Sequence, residues 1–122
     1  MKAFASWSGG KDCMLAVYRL LQKNEMEISS LVHMCDACGT KSRSHGIHKN
    51  SIAQQAAAMN IPILQKPVDE TGYEACFKSQ VQILKKQGVT AGVFGDIYLQ
   101  EHRVWIERVC ADLGITAVFP LW

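Results

Sequence analysis

The chain has 122 residues, 48% of them hydrophobic and 20% charged, which fits one packed domain and excludes a disordered chain. Thirteen Lys and Arg against eleven Asp and Glu leave +2, with no basic block or aromatic-interleaved stripe, so a nucleic-acid surface is not expected. No run approaches the ~18 apolar residues of a membrane span, no signal-peptide core precedes the first glycines, and five cysteines, an odd number, fit a reducing cytoplasm.

Strand and helix patterns alternate along the chain. Residues 2–6 read as a short apolar strand ending at Ser6-Trp7-Ser8-Gly9-Gly10-Lys11-Asp12-Cys13. The helix that follows places Met14, Val17, Tyr18 and Leu21 on one face. Residues 28–34 form the next strand, and the long connection from Cys35 to about Asn50 has the length of a functional loop. Ile52, Ala56 and Met59 mark a second helix that stops at Asn60, ahead of Pro62. A strand at residues 63–65 precedes a helix marked by Tyr73, Cys76, Phe77, Val81 and Leu84 and closed by Gly88. A strand at residues 91–95 leads through Gly95-Asp96-Ile97 into a helix with Ile106, Val109, Cys110 and Leu113 inward, closed by Gly114; residues 116–119 form the last strand. Regular alternation of this kind predicts a five-stranded parallel sheet with helices on both faces.

In such a sheet a ligand sits outside the carboxyl ends of the strands, where strand order reverses. Three stretches point there: Trp7 to Cys13, Met34 onward, and Gly95-Asp96-Ile97. Glycines at a strand-to-helix junction permit positive φ and close approach to an anion, and the helix N-terminus offers free N–H groups. A Walker A loop is excluded because Ala5 and Asp12 occupy its Gly and Ser/Thr positions. The G-x-G-x-x-G spacing is absent as well. The remaining pattern, Ser8-Gly9-Gly10-Lys11-Asp12-Cys13, resembles the PP-loop of N-type ATP pyrophosphatases.

Asp12 and Asp96 are candidates to hold Mg²⁺ on a nucleotide, since hard cations prefer carboxylate and phosphate oxygens; Asp96 is alternatively a helix N-cap. Lys11 suits phosphate neutralisation or a solvated surface. Cys35-Asp36-Ala37-Cys38 is open among a zinc pair completed by His33, His45 or His48, a redox or sulfur-transfer pair, and inert thiols. Cys13 reads as a small packing residue, and Cys76 and Cys110 as core. Arg43-Ser44-His45-Gly46 and Glu101-His102-Arg103 are polar, cationic clusters suited to an anionic substrate or a triphosphate; the alternatives are a solvated loop and an exposed helix start. Trp7, Trp105 and Trp122 read as packing residues.

The combination of Ser8 to Cys13, Arg43-Ser44-His45-Gly46, Gln55-Ala56, Asn60-Ile61-Pro62, Phe94-Gly95-Asp96-Ile97, Glu101-His102-Arg103-Val104-Trp105, Val109-Cys110 and Pro120-Leu121-Trp122 resembles the diphthine–ammonia ligase family along essentially the whole chain. The resemblance implies a HUP-type, Rossmann-like fold. It implies ATP and Mg²⁺ held by Ser8, Gly9, Gly10, Lys11, Asp12, Cys13, His33, Met34 and Gly95, with Asp12 and Asp96 catalytic and metal-holding. Arg43, His45, His102 and Arg103 would face the substrate. The implied reaction adenylates a carboxyl group, releases pyrophosphate, and lets ammonia displace AMP to leave an amide. The family's acceptor is diphthine of translation elongation factor 2; an organism without diphthamide needs another carboxyl-bearing acceptor. The family continues past Pro-Leu-Trp into a further region, so this chain alone is expected to bind nucleotide with little ligase turnover unless a homodimer or separate partner completes it. A PP-loop tRNA sulfurtransferase and a non-catalytic nucleotide-binding module are the alternatives.

Overall fold

The computed structural model describes residues 2–24, 26–35, 47–69, 71–97 and 99–122. Five strands, β1 (Lys2–Ser6), β2 (Glu27–Cys35), β3 (Ile63–Pro67), β4 (Ala91–Val93) and β5 (Thr116–Val118), alternate with four helices, α1 (Lys11–Lys23), α2 (Lys49–Met59), α3 (Tyr73–Lys86) and α4 (Gln100–Leu113). The sheet order is β3-β2-β1-β4-β5, and every neighbouring pair is parallel. From β1 the chain builds outward through β2 and β3, then crosses back to lay β4 on the other side of β1. Strand order therefore reverses between β1 and β4, which opens a crevice at their carboxyl ends.

Side-chain alternation along the strands divides the interior in two. Ala3, Ala5 and Leu31 face one layer with Val17 and Leu20 of α1 and Ile52 and Ala56 of α2. Phe4, Val32 and Met34 face the other, with Phe77 and Val81 of α3 and Val109 and Leu113 of α4. Both faces of the sheet are thus covered, as βα alternation predicts. The second layer is built on rings: Phe4 meets Phe77 and Phe94 edge-on, each at 6.0 Å between centroids.

Helix α1 turns a different face inward from the one its larger apolar residues mark. Cys13, Ala16, Val17 and Leu20 are buried, while Met14, Tyr18 and Leu21 are exposed. The sheet here presents Ala3 and Ala5, and small residues on both partners let helix and sheet approach closely. Elsewhere the inward faces follow the periodicity. Ile52 and Ala56 are buried in α2, and Ile106, Val109, Cys110 and Leu113 in α4. Helix α2 ends at Asn60 (φ 57°) and α4 at Gly114 (φ 70°), the left-handed stops expected from sequence. β4 is shorter than its apolar run: after Val93, Phe94 still donates its N–H to the Val118 carbonyl at 2.9 Å, and the chain then leaves the sheet. Among the described residues no helix is long and apolar enough to cross a membrane.

Candidate functional site

The loop between β1 and α1 is shaped by one glycine more than by the other. Gly9 has φ +82°, and a Cβ there would lie 2.4 Å from Ile52 Cδ1 and 3.0 Å from Ile47 Cδ1. The positive φ disfavours any side chain at this position, whereas the isoleucine tips in the way are side-chain ends that can shift. Gly10, expected to share the positive φ, instead sits at φ −84°, ψ 175°, extended backbone that any residue adopts. It forms the N-cap of α1, and no side chain caps that helix end. The first N–H groups of α1 are therefore left without intrahelical partners, at the positive end of its dipole.

Gln55 of α2 holds this loop from beneath. Its Oε1 accepts from Trp7 Nε1 at 2.9 Å, and its Nε2 donates to the Gly9 carbonyl at 3.4 Å. Within the loop the Gly10 N–H faces Ser8 Oγ at 3.5 Å, and Cys13 Sγ donates to the Gly10 carbonyl at 3.2 Å. Cys13 is 7% exposed and packs as a small core residue.

Gly95 sets the far side. A Cβ on it would meet backbone of the first turn of α1, at 2.7 Å from Cys13 N and 2.8 Å from both Asp12 C and Cys13 Cα. Only glycine lets the chain leaving β4 press onto α1 this closely, and that contact brings Asp96 to the crevice that Asp12 borders.

A cavity of about 980 Å³ opens over these strand ends. Of the sequence-predicted residues, Ser8, Asp12, Cys13, His33, Met34, Gly95, Asp96 and His102 line it, while Gly9, Gly10, Lys11 and Arg103 do not. Arg43 and His45 lie outside the described residues, as does Cys38. The Lys11 side chain is 91% exposed and pairs with Asp12 at 3.1 Å. Asp96 faces His102, with Oδ2 3.3 Å from Nδ1. Arg103 is engaged elsewhere: it pairs with Glu107 at 2.9 Å and lies over the rings of Phe119 and Trp122 at 4.5 and 4.9 Å. That stacking fastens the Pro120-Leu121-Trp122 segment to α4.

The far wall was not anticipated. Tyr73, Glu74 and Phe77 of α3 and Trp105 of α4 complete the cavity. Helix α3 follows β3 at the sheet edge, and only its passage across the sheet brings its first turn to the crevice. A first-turn Glu74 beside the i, i+4 pair Tyr73–Phe77 was the available signal. Arg108 grips the Glu74 carboxylate with two nitrogens, at 2.6 and 3.3 Å, and Lys78 lies 3.1 Å away. Hydrogen bonds from Arg108 first and Lys78 second hold its pKa down to about 2.

The cavity therefore carries three carboxylates, Asp12, Glu74 and Asp96, and no Lys or Arg lines it among the described residues. A divalent cation between these carboxylates and a polyphosphate at the α1 N-terminus would offset their mutual repulsion. Among the described residues no group of three or more His, Cys, Asp or Glu forms a metal cage, so phosphate oxygens would have to complete the coordination of such an ion. The residues present fit a nucleotide bound as its Mg²⁺ complex. Of the histidines near the Cys-x-x-Cys segment, His48 caps α2 by accepting from the Asn50 N–H at 3.1 Å and His33 Nδ1 faces Gln65 Oε1 at 2.8 Å, while His45 lies outside the described residues.

The chain matches no curated protein closely enough to be paired with one. Residues 1–117, nearly the whole of it, match the diphthamide synthase N-terminal domain. With a five-stranded parallel sheet and a glycine loop at its switch point, the chain belongs to the diphthamide synthase N-terminal domain family.

Proposed function

We propose that the protein binds ATP as its Mg²⁺ complex in the switch-point cavity and uses it to activate a carboxyl group for amide formation with ammonia. The observation that carries this reading is the N-terminus of α1, which no side chain caps and whose Asp12 and Cys13 line a cavity of about 980 Å³ together with Ser8 of the glycine turn and Asp96 after β4. Backbone N–H groups of the turn and of α1 would receive the phosphates. Asp12 and Asp96 would hold the Mg²⁺ that offsets the cavity's acidic lining. In the proposed reaction an acceptor carboxylate oxygen bonds to the α-phosphorus, and the bond to the leaving pyrophosphate breaks. Ammonia then bonds to the acyl carbon, AMP leaves, and the nitrogen loses a proton. The open wall beside His102, Tyr73 and Trp105 is where the acceptor would enter.

The test incubates the protein with Mg²⁺, ATP, ammonium and a panel of carboxyl acceptors, diphthine-bearing protein included, and identifies the products. AMP with pyrophosphate, formed in proportion to amide, is the expected result. ADP with phosphate would overturn the reading. Tight ATP binding with no turnover would reduce the protein to a nucleotide-binding module.

A further inference from the structure

Helix α1 is apolar on both sides. Cys13, Ala16, Val17 and Leu20 face the sheet, while Met14, Leu15, Tyr18 and Leu21 stand 44, 41, 55 and 49% exposed on the outward side. These are four of the eight large apolar side chains that the described residues expose; α3 contributes Ile83 alone and α4 Val104 alone. A helix that served only its own sheet would turn its larger residues inward. One that is apolar all round belongs between two covering surfaces.

The stripe continues past the helix. Leu21 also lines a groove with Met26, Met59 and Ile61 at the amino end of the sheet. At about 200 Å² for a large side chain, the four exposures leave roughly 400 Å² of α1 uncovered. One face of a standard interface buries about 800 Å², of which about 56–65%, or roughly 450–520 Å², is apolar. Helix and groove together supply that apolar share. The patch therefore has the size that the centre of a stable dimer face requires.

The pattern also fits its own copy. A two-fold axis crossing α1 at right angles between Val17 and Tyr18 leaves Met14 and Leu21 equally far from it, about 5 Å along the helix on either side. Seven residues apart, the two also share one side of the stripe. Two antiparallel copies therefore set Met14 on the partner's Leu21 and bring the two Tyr18 rings together at the centre. That ring is fixed in advance: Gln22 Nε2 donates to the Tyr18 hydroxyl oxygen at 2.6 Å, which leaves the phenolic hydrogen for an acceptor across the interface. Charge agrees with the arrangement. Lys11 is as far from the axis as Asn24, so it reaches the partner's groove, whose lining carries Asn24 and Glu27. Glu27 makes no ion pair among the described residues, and the Lys11–Asp12 pair is an exposed one of little worth. Lys2, the one base lining the groove, turns its amine to the Gln87 carbonyl at 3.1 Å. We propose that the protein forms a two-fold dimer in which α1 packs antiparallel on α1 of a second copy, with Tyr18 at the centre. This stands apart from the nucleotide reading, because Met14, Tyr18 and Leu21 do not line the cavity.

Sedimentation equilibrium of the full chain at micromolar concentrations is the test, and the parent should weigh twice 13.6 kDa. Tyr18→Asp and Leu21→Asp each act twice per dimer and bury charge at its centre. Either should raise the dissociation constant about a hundredfold or more. Ile83→Asp, on a similarly exposed residue of α3, should leave the dimer intact. Circular dichroism checks that each variant is folded. A second readout needs no substitution. Photo-oxidative tyrosine coupling of the parent, followed by trypsin, should yield the peptide of residues 12–19 joined to its own copy through Tyr18. A monomeric parent, a dimer that Tyr18→Asp leaves intact, or coupling only through another tyrosine would each overturn the proposal. So would a monomer that sediments with phosphatidylglycerol vesicles and loses them in Tyr18→Asp, which would give the stripe, with Lys11, Arg19 and Lys23 beside it, to an anionic lipid surface.

Discussion

Gly95→Ala isolates the contact that joins the two halves of the site. The added methyl would sit 2.7–2.8 Å from three backbone atoms of Asp12 and Cys13, roughly 0.6 Å short of ordinary van der Waals contact. Those atoms belong to the first turn of α1, so no rotamer change relieves the clash; the turn itself must move. Gly95 lies outside the left-handed region, so alanine adopts its backbone angles without strain. On unfolded-state entropy alone the substitution would stabilise by about 0.4–1 kcal/mol. Overpacking a close contact instead costs about 1–3 kcal/mol, so the sign of the change is diagnostic. Urea denaturation should show a net loss of about 1–2 kcal/mol at unchanged m-value. Displacing the turn by about 0.5 Å or more takes it outside the tolerance for a preorganised site, so Mg²⁺–ATP affinity should drop at least tenfold. A Gly95→Ala protein as stable as its parent, with the parent's ATP affinity, would refute the argument that this contact sets the phosphate turn.

Other perturbations address separate parts of the site. Gln55→Leu should leave the buried Trp7 N–H unsatisfied and the Gly9 carbonyl unheld, costing about 1–3 kcal/mol in a urea titration and weakening ATP binding by calorimetry. Gly9→Val should abolish ATP binding, whereas Gly10→Ala, at ordinary φ, should retain most of it; the reverse ranking would contradict the loop geometry. His33 is depressed below 6.5 by burial, so the unfolded chain binds its proton first as pH falls. Stability present above about pH 6.5 should decline from there toward the lower native value, with a slope of at most about 1.4 kcal/mol per pH unit, and a melt series on His33→Leu should show a flatter profile. Arg103→Met should free the chain end, read as lower fluorescence anisotropy of Trp122, at a stability cost of about 1 kcal/mol.

Much of this molecule is legible along one dimension. Alternating apolar runs, Asn60 and Gly114 as stops, and the glycine turn after β1 dictate five parallel strands, four helices and a cavity at the strand ends, because backbone geometry and periodicity are local properties. What periodicity does not decide is which of two apolar stripes a helix buries. Helix α1 hides Cys13, Ala16, Val17 and Leu20 rather than Met14, Tyr18 and Leu21 because it packs on Ala3 and Ala5, and that fit exists only between elements. The same holds for the site. Ser8, Asp12 and Asp96 could be read from their places after β1 and β4, but the difference between Gly9 and Gly10 depends on Ile52 and Ile47 beneath the loop. The wall from Tyr73 to Phe77 depends on α3 crossing the sheet. Arg103, read as a substrate contact from its neighbours in sequence, spends its charge on Phe119, Trp122 and Glu107. The setting of His33 depends on Gln65, which faces its Nδ1 and donates to the carbonyl of Lys49, sixteen residues earlier in the chain. Sequence determines what each element is; partners distant along the chain determine which face it shows and which atoms are left for a ligand.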